Sequence, residues 1–447
     1  MNRLDNQYSV GIIRPLALAI TIVALFFLYH QLSNILLAYA GIAIMLLSVI
    51  VLNPLECFLI AIGLNSNIRM IMLEDNPLAI QGYFMFLFQL KFFLKSKSVK
   101  PGVFYLNFIL ACLTAVMVND LSLISWVLRG LFFVLFALNV YGKRCPGDFI
   151  EKTLQVFIIG TLISQILILY TTISSGMSIY EGNLTAMNND RNFNAAIVAN
   201  SFAVVMFYLL NKDNKMLYVI IAILLVFTGM LSGSRTFLLA IGLTSLLYVF
   251  VVFEGKTVRN INFVRGFVLI SFLTLVYIYP IISNTFDDIL FSRFTNDDMA
   301  SGSGRFDAWA FYLSKTFSSV IGSMFGNGDA VSLVRSGGYE IIEHNTFIQG
   351  LYTFGLFGFT TLFLCYVYEY KAIVIKGNRI KFWYFSPLLI TLFFYSSISA
   401  LYSAQFDTAI LMSFLIIRCL QTNQNLVVKK NIVHYDPQNF NYNNYIQ

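Results

Sequence analysis

Charged side chains are scarce in this sequence. Asp, Glu, Lys and Arg make up 11% of its 447 residues, against 58% hydrophobic ones. A water-soluble globular domain is nearer a quarter charged. A chain this apolar cannot cover a water-facing surface, so most of its helices must face lipid or one another. Histidine is rarer still, with only His30, His344 and His434 among 3 in all. The 5 cysteines, Cys57, Cys112, Cys145, Cys365 and Cys419, sit in or beside apolar runs without disulfide-framework or metal-ligand spacing. There is no HExxH, no Walker sequence and no Cys/His cluster. Metal and nucleotide chemistry therefore have no motif to stand on, and no metal or cofactor is expected. The net charge of +7 follows the loops between apolar runs and gives no reason to expect nucleic acid as a partner.

What the sequence has in abundance is long apolar stretches. They fall near 12–30, 34–52, 54–72, 78–94, 102–118, 121–141, 152–174, 193–210, 215–231, 235–253, 263–282, 345–368, 382–400 and 403–420. Each is close to the ~20 residues needed to cross the hydrocarbon as a helix. The expected fold class is all-α, a polytopic membrane protein of about fourteen spans. The first stretch lacks a small-residue cleavage site and reads as a retained helix. Loop charge sets the orientation. Lys91, Lys95, Lys97 and Lys100 share one side with Lys143, Arg144, Lys152, Lys256, Arg259, Arg265, Lys371, Lys376, Arg379 and Lys381. Glu74, Asp75, Asp120, Glu181 and Asp190 lie on the other. Positive loops face the cytoplasm, so both termini are expected inside. Residues 1–420 read as a single transmembrane domain, and the polar, Asn-rich 421–447 as a disordered cytoplasmic tail.

Two outer loops break the pattern of short turns, 174–192 and 283–343. A loop as long as the second is usually functional or disordered. Within it Phe306, Trp309, Ala310, Leu313, Phe317 and Val320 recur at helical spacing. They predict an amphipathic helix along the membrane surface with its Trp and Phe side down. Gly326-Asn327-Gly328 then marks a turn.

Ionisable groups beside spans are costly and usually functional. Arg191 ends the first outer loop, Arg235 opens a span after Ser232-Gly233-Ser234, and Arg305 opens the amphipathic helix. His344, flanked by Glu343 and Asn345, closes the large loop. The planar guanidinium fork suits phosphate oxygens, and a helix start adds free N–H groups and the positive dipole end. Lipid phosphates and pyrophosphates are the membrane-level anions that fit. Imidazole, with an unperturbed pKa of about 6.5, is a natural general base. The alternatives are arginines that snorkel to headgroups and a histidine that only caps a helix. Arg129 and Asp407 fall within spans without an assignable partner.

Taken in order, several motifs resemble the O-antigen polymerase and O-antigen ligase superfamily. They are Asn-Asp-Arg-Asn-Phe-Asn-Ala-Ala from Asn189, Ser-Gly-Ser-Arg-Thr from Ser232, Gly-Arg-Phe-Asp-Ala-Trp from Gly304, Gly-Asn-Gly from Gly326, and His-Asn-Thr-Phe-Ile-Gln-Gly-Leu-Tyr-Thr-Phe-Gly-Leu-Phe-Gly from His344. The resemblance covers residues 188–360 by motif and the chain by topology. One departure is Val320-Ile321-Gly322, where a proline-glycine start to the turn is more usual. The resemblance implies a GT-C-like, metal-independent glycosyltransferase of the bacterial inner membrane. It would polymerise undecaprenyl-diphosphate-linked repeat units at the periplasmic face, as in O-antigen or capsule synthesis, with inversion. Under it Arg235 and Arg305 hold the donor diphosphate and His344 deprotonates the acceptor hydroxyl; by position in the sequence, Arg191 joins the diphosphate set and Asn345 and Glu343 support the histidine. Its implied partners are lipid-linked donor and acceptor glycans, membrane lipid and a chain-length regulator protein. A ligase acting on lipid A-core is the alternative. A lipid-sugar flippase is a second, although a transporter tends to show internal repeats and a midplane site.

Overall fold

The computed structural model describes residues 11–67, 149–175, 191–211, 215–232, 237–245, 305–328 and 347–357, with single residues or pairs between them, among them 70–71, 90–91, 234, 333–334, 345 and 359–360. Every regular element among the described residues is helical. In chain order they are α1 (Ile13–Leu32), α2 (Ile35–Val51), α3 (Pro54–Asn65), α4 (Phe149–Ser174), α5 (Arg191–Asn211), α6 (Lys215–Leu231), α7 (237–245), α8 (Arg305–Phe317), α9 (Val320–Phe325) and α10 (Phe347–Phe357). The apolar runs expected at 121–141, 263–282, 382–400 and 403–420 lie outside the described residues.

Local chemistry sets the helix starts and stops. Ser33 adopts a left-handed φ of 51° after α1, and the Asn34 side chain accepts the Leu36 N–H to begin α2. At α3, Asn53 and Glu56 form a reciprocal capping box with Pro54 in the first turn. Such devices let a chain reverse tightly between helices, and α1, α2 and α3 pack against one another. From α3 the packing runs to α4, then α5, then α6.

The bundle is apolar inside and outside. Phe26, Phe58, Phe149, Phe157, Tyr208 and Phe237 are fully buried. Yet Leu36, Ile50, Ile166, Met216 and Ile223 stand exposed on the outer faces of α2, α4 and α6. A soluble bundle turns polar residues outward, whereas these faces suit lipid. Among the described residues two helices, Ile13–Leu32 and Glu151–Ser174, are long and apolar enough to cross a bilayer. Lys91 donates from Nζ to the carbonyls of Val49, Ile50 and Leu52, the last of these at 2.9 Å. A cation there meets the negative end of the α2 dipole.

Small residues let helices approach closely. A Cβ on Gly160 of α4 would lie 2.5 Å from the Gly63 carbonyl oxygen of α3. Around that crossing a polar row is buried. Thr161 Oγ1 meets Ser66 Oγ at 3.0 Å and Ser201 Oγ at 2.7 Å, and Ser164 Oγ donates to the Ser66 carbonyl at 2.9 Å. Asn67 Nδ2 donates to the Gly160 carbonyl. The run expected to continue to residue 72 therefore stops as a helix at Asn65, where polar side chains turn to bond α4 instead.

Candidate functional site

The helix expected after Gly304 forms, and Arg305 is its first residue. Asp307 sits in its first turn, where the dipole favours an acid. The helix carries two apolar faces. Ala308, Tyr312 and Thr316 are buried at i, i+4 and i+8. Phe306, Ala310, Phe317 and Val320, part of the stripe expected to meet the membrane, are exposed, and Trp309 and Leu313 are half-buried. Phe306 and Trp309 meet edge-on at 5.4 Å. Protein thus covers one face of α8 and leaves the expected lipid-facing one open.

What covers the buried face is α10. Tyr312 and Tyr352 stack edge-to-face, with centroids 4.9 Å apart and planes at 83°. With Ala308 they form a small core that Phe311, Leu333 and Ile348 pack against. This core holds Ala308, one turn into α8, and Ile348, in the first turn of α10, packs against it. The first half of α8 is thereby tied to α10.

A backbone clasp fixes α9 on the same helix. Ser319 Oγ accepts the Gly322 N–H at 2.9 Å to start α9, and the Gly326 N–H closes it on the Gly322 carbonyl at 2.9 Å. Gly326 then takes φ +90° and Asn327 donates its N–H to the Tyr352 carbonyl at 2.7 Å. Gly355 has φ +64°, and a Cβ there would lie 2.5 Å from the Gly326 nitrogen and the Met324 carbonyl oxygen. Glycine is required at both places by conformation and by space. The Gly-Asn-Gly turn read from the sequence is thus a docking element as well as a turn.

Asn345 is 8% exposed and caps α10. Its Oδ1 accepts the N–H groups of Phe347 at 2.9 Å and Ile348 at 3.1 Å, and its carbonyl accepts the Gln349 N–H at 2.9 Å. Capping uses the short polar side chain to satisfy first-turn donors. It also fixes where the chain enters the helix. Arg191 begins α5. One turn along, Asn194 is fully buried and pairs reciprocally with Gln165 of α4, at 2.7 Å from Gln165 Nε2 to Asn194 Oδ1 and 3.3 Å in return. The first turn of α5 is thereby pinned to α4. Arg235, Glu343 and His344 lie outside the described residues.

Sequence reasoning passed over Gln349. It is 1% exposed, and its Oε1 has no hydrogen-bond partner. The only trace in the sequence is a glutamine inside an otherwise apolar helix start, Thr-Phe-Ile-Gln-Gly-Leu.

Comparison with known proteins brings glycan transfer into view. No family model matches the chain. A curated relative does, the ComP-specific O-oligosaccharyltransferase of Acinetobacter baylyi, 26% identical over 272 residues. The match takes in 56% of this chain and 49% of the relative, so the chain spans about half the length of the curated relative it matches. No solved structure matches.

Proposed function

We propose that this chain is a membrane glycosyltransferase that moves a glycan from an undecaprenyl-diphosphate carrier to an acceptor hydroxyl. Its reaction in this reading is the polymerisation of repeat units at the periplasmic face. The observation that carries the reading is the shared core of α8 and α10, which ties the helix opened by Arg305 to the helix entered through His344 and capped by Asn345. The similarity to an oligosaccharyltransferase supports transfer of a glycan as the class of reaction.

The chemistry needs little else. The acceptor oxygen attacks the anomeric carbon, and the bond from that carbon to the diphosphate oxygen breaks. The lipid diphosphate leaves with the electron pair, the acceptor proton passes to His344, and attack opposite the leaving group inverts the centre. Arg305, Arg235 and Arg191 neutralise the charge growing on the diphosphate, an electrostatic task at which preorganised donors excel in a water-poor site. Arg305 has the further help of the α8 dipole. Glu343 flanks the base, and Asn345 holds the helix it precedes.

Purified protein supplied only with undecaprenyl-diphosphate-linked repeats should extend chains. Arg305→Ala should slow extension by about 10²–10³-fold, and His344→Gln by about 10²–10⁴-fold, both with normal membrane abundance. Either variant working above half the wild-type rate would remove that residue from the mechanism. A second reading is favoured by the relative: an oligosaccharyltransferase activity fits a ligase at least as well as a polymerase. Under it the same assay yields no chain growth, and glycan moves once to an added lipid A-core acceptor.

A further inference from the structure

We propose that Gln349 is a substrate-binding residue whose side-chain carbonyl receives a hydroxyl of the acceptor glycan. The inference rests on the glycan-transfer reading and deepens it, because it assigns a recognition contact that this reading leaves open.

The starting point is an unmet hydrogen-bond need. Gln349 is 1% exposed, and its Oε1 has no partner in the protein. Buried acceptors are almost always paired, and an unpaired one costs stability. Among the described residues some buried amides are paired, as Gln165 and Asn194 are with each other, while Asn200 Oδ1 and Asn327 Nδ2, like Gln349 Oε1, are not. Gln349 carries this cost in the first turns of α10, where its own N–H is bonded to the Asn345 carbonyl. In the sequence it stands five residues after His344, the proposed base.

The chemistry selects the ligand. A carboxamide oxygen needs an O–H or N–H donor, and sugar hydroxyls are such donors. A diphosphate has only acceptors to offer and would repel it. The oxygen therefore suits the glycan and not the leaving group. A site built to bond a hydroxyl also rejects a sugar that lacks it, because the oxygen is then left unpaired.

Replacing this oxygen should move stability and activity in opposite directions. Gln349→Met keeps the length and volume of the side chain and removes the buried acceptor. The full-length protein in detergent should melt at the same temperature or higher. Extension of undecaprenyl-diphosphate-linked repeats should fall about 3- to 10-fold in kcat/KM, the worth of one uncharged hydrogen bond. The thermal shift induced by undecaprenyl diphosphate alone, which offers no glycan, should match that of the wild type. Gln349→Leu, with a different shape, should repeat the pattern. A clear drop in melting temperature in both variants would show that the oxygen serves the fold and overturn the assignment. Unchanged kcat/KM in both would overturn it while leaving the glycosyltransferase reading intact. Failure of the wild type itself to transfer glycan to any acceptor would overturn that reading and take this assignment with it.

Discussion

The helices from α1 to α7 and the α8–α10 unit are held together in different ways. Between α3, α4 and α5, hydroxyls and amides pair across the helices: Ser66 with Thr161, Thr161 with Ser201, Gln165 with Asn194. The pairing is incomplete, since buried amide atoms with no partner occur there too, Asn200 Oδ1 among them. At α9 and α10 the buried Asn327 Nδ2 and Gln349 Oε1 are both unpaired, and Gly326, Gly328 and Gly355 hold positive φ. Paired polar groups in an apolar bundle fix helix register, since each alternative register would strand a donor. Backbone in sparsely populated conformations is tolerated where function requires it. The contrast points to a scaffold in the first region and a working surface in the second.

The sharpest way to break this comparison is at Gly355. Alanine there meets both a φ of +64° and a Cβ position 2.5 Å from the Gly326 nitrogen. Backbone strain of about 1–3 kcal/mol joins overpacking of about 1–3 kcal/mol. Gly355→Ala should therefore undock α9 from α10 and abolish glycan transfer. Limited proteolysis should report new cleavage between 318 and 344 while α1–α7 stay protected. Protection equal to wild type would mean that the clasp is not what joins α9 to α10.

A smaller effect is expected at Gln165 and Asn194. Gln165→Leu strands the Asn194 amide, at a cost of about 1–3 kcal/mol. Changing both residues to Leu should recover part of that loss. Cross-helix hydrogen bonds in membrane proteins couple by about 0.6 kcal/mol on average and reach about 1.7 kcal/mol. A double-mutant cycle on thermal unfolding should fall in that range, and a coupling of zero would show that the pair does not hold α5 to α4.

The sequence read the scaffold more easily than the working surface, for physical reasons. Apolar runs and helix caps are local, so α1, α2 and α6 lie within two residues of their expected bounds. The first residue of α8, Arg305, was legible from Ser303-Gly304 ahead of it. The end of α3 was not, because Ser66 and Asn67 stop the helix by bonding residues more than ninety positions away. The stripe of Phe306, Trp309 and Phe317 was visible as a period, whereas the face formed by Ala308, Tyr312 and Thr316 becomes apparent only when Tyr352 is packed on it. Asn345 stood out as the neighbour of a histidine, but its capping role needed coordinates. Gln349 shows the limit of pattern reading. That its oxygen is unpaired is a fact about every neighbour it has, and no spacing rule carries that information.

The smallest expected effect comes from Ser201, and it tests whether pairing in the bundle is a network or a set of separate bonds. Ser201 Oγ meets Thr161 Oγ1 at 2.7 Å, yet Thr161 also donates to the Phe157 carbonyl at 2.9 Å and meets Ser66 at 3.0 Å. Ser201→Ala therefore removes one bond and strands no partner, unlike Gln165→Leu. The loss should stay near the ~0.6 kcal/mol average for such bonds, with glycan transfer unchanged. Thermal unfolding beside a transfer assay measures both. A loss as large as that of Gln165→Leu would mean that the Ser66–Thr161–Ser201 row acts as one cooperative unit. A loss of transfer without a loss of stability would move this row out of the scaffold and into the working part of the molecule, and the division between the two regions would fail.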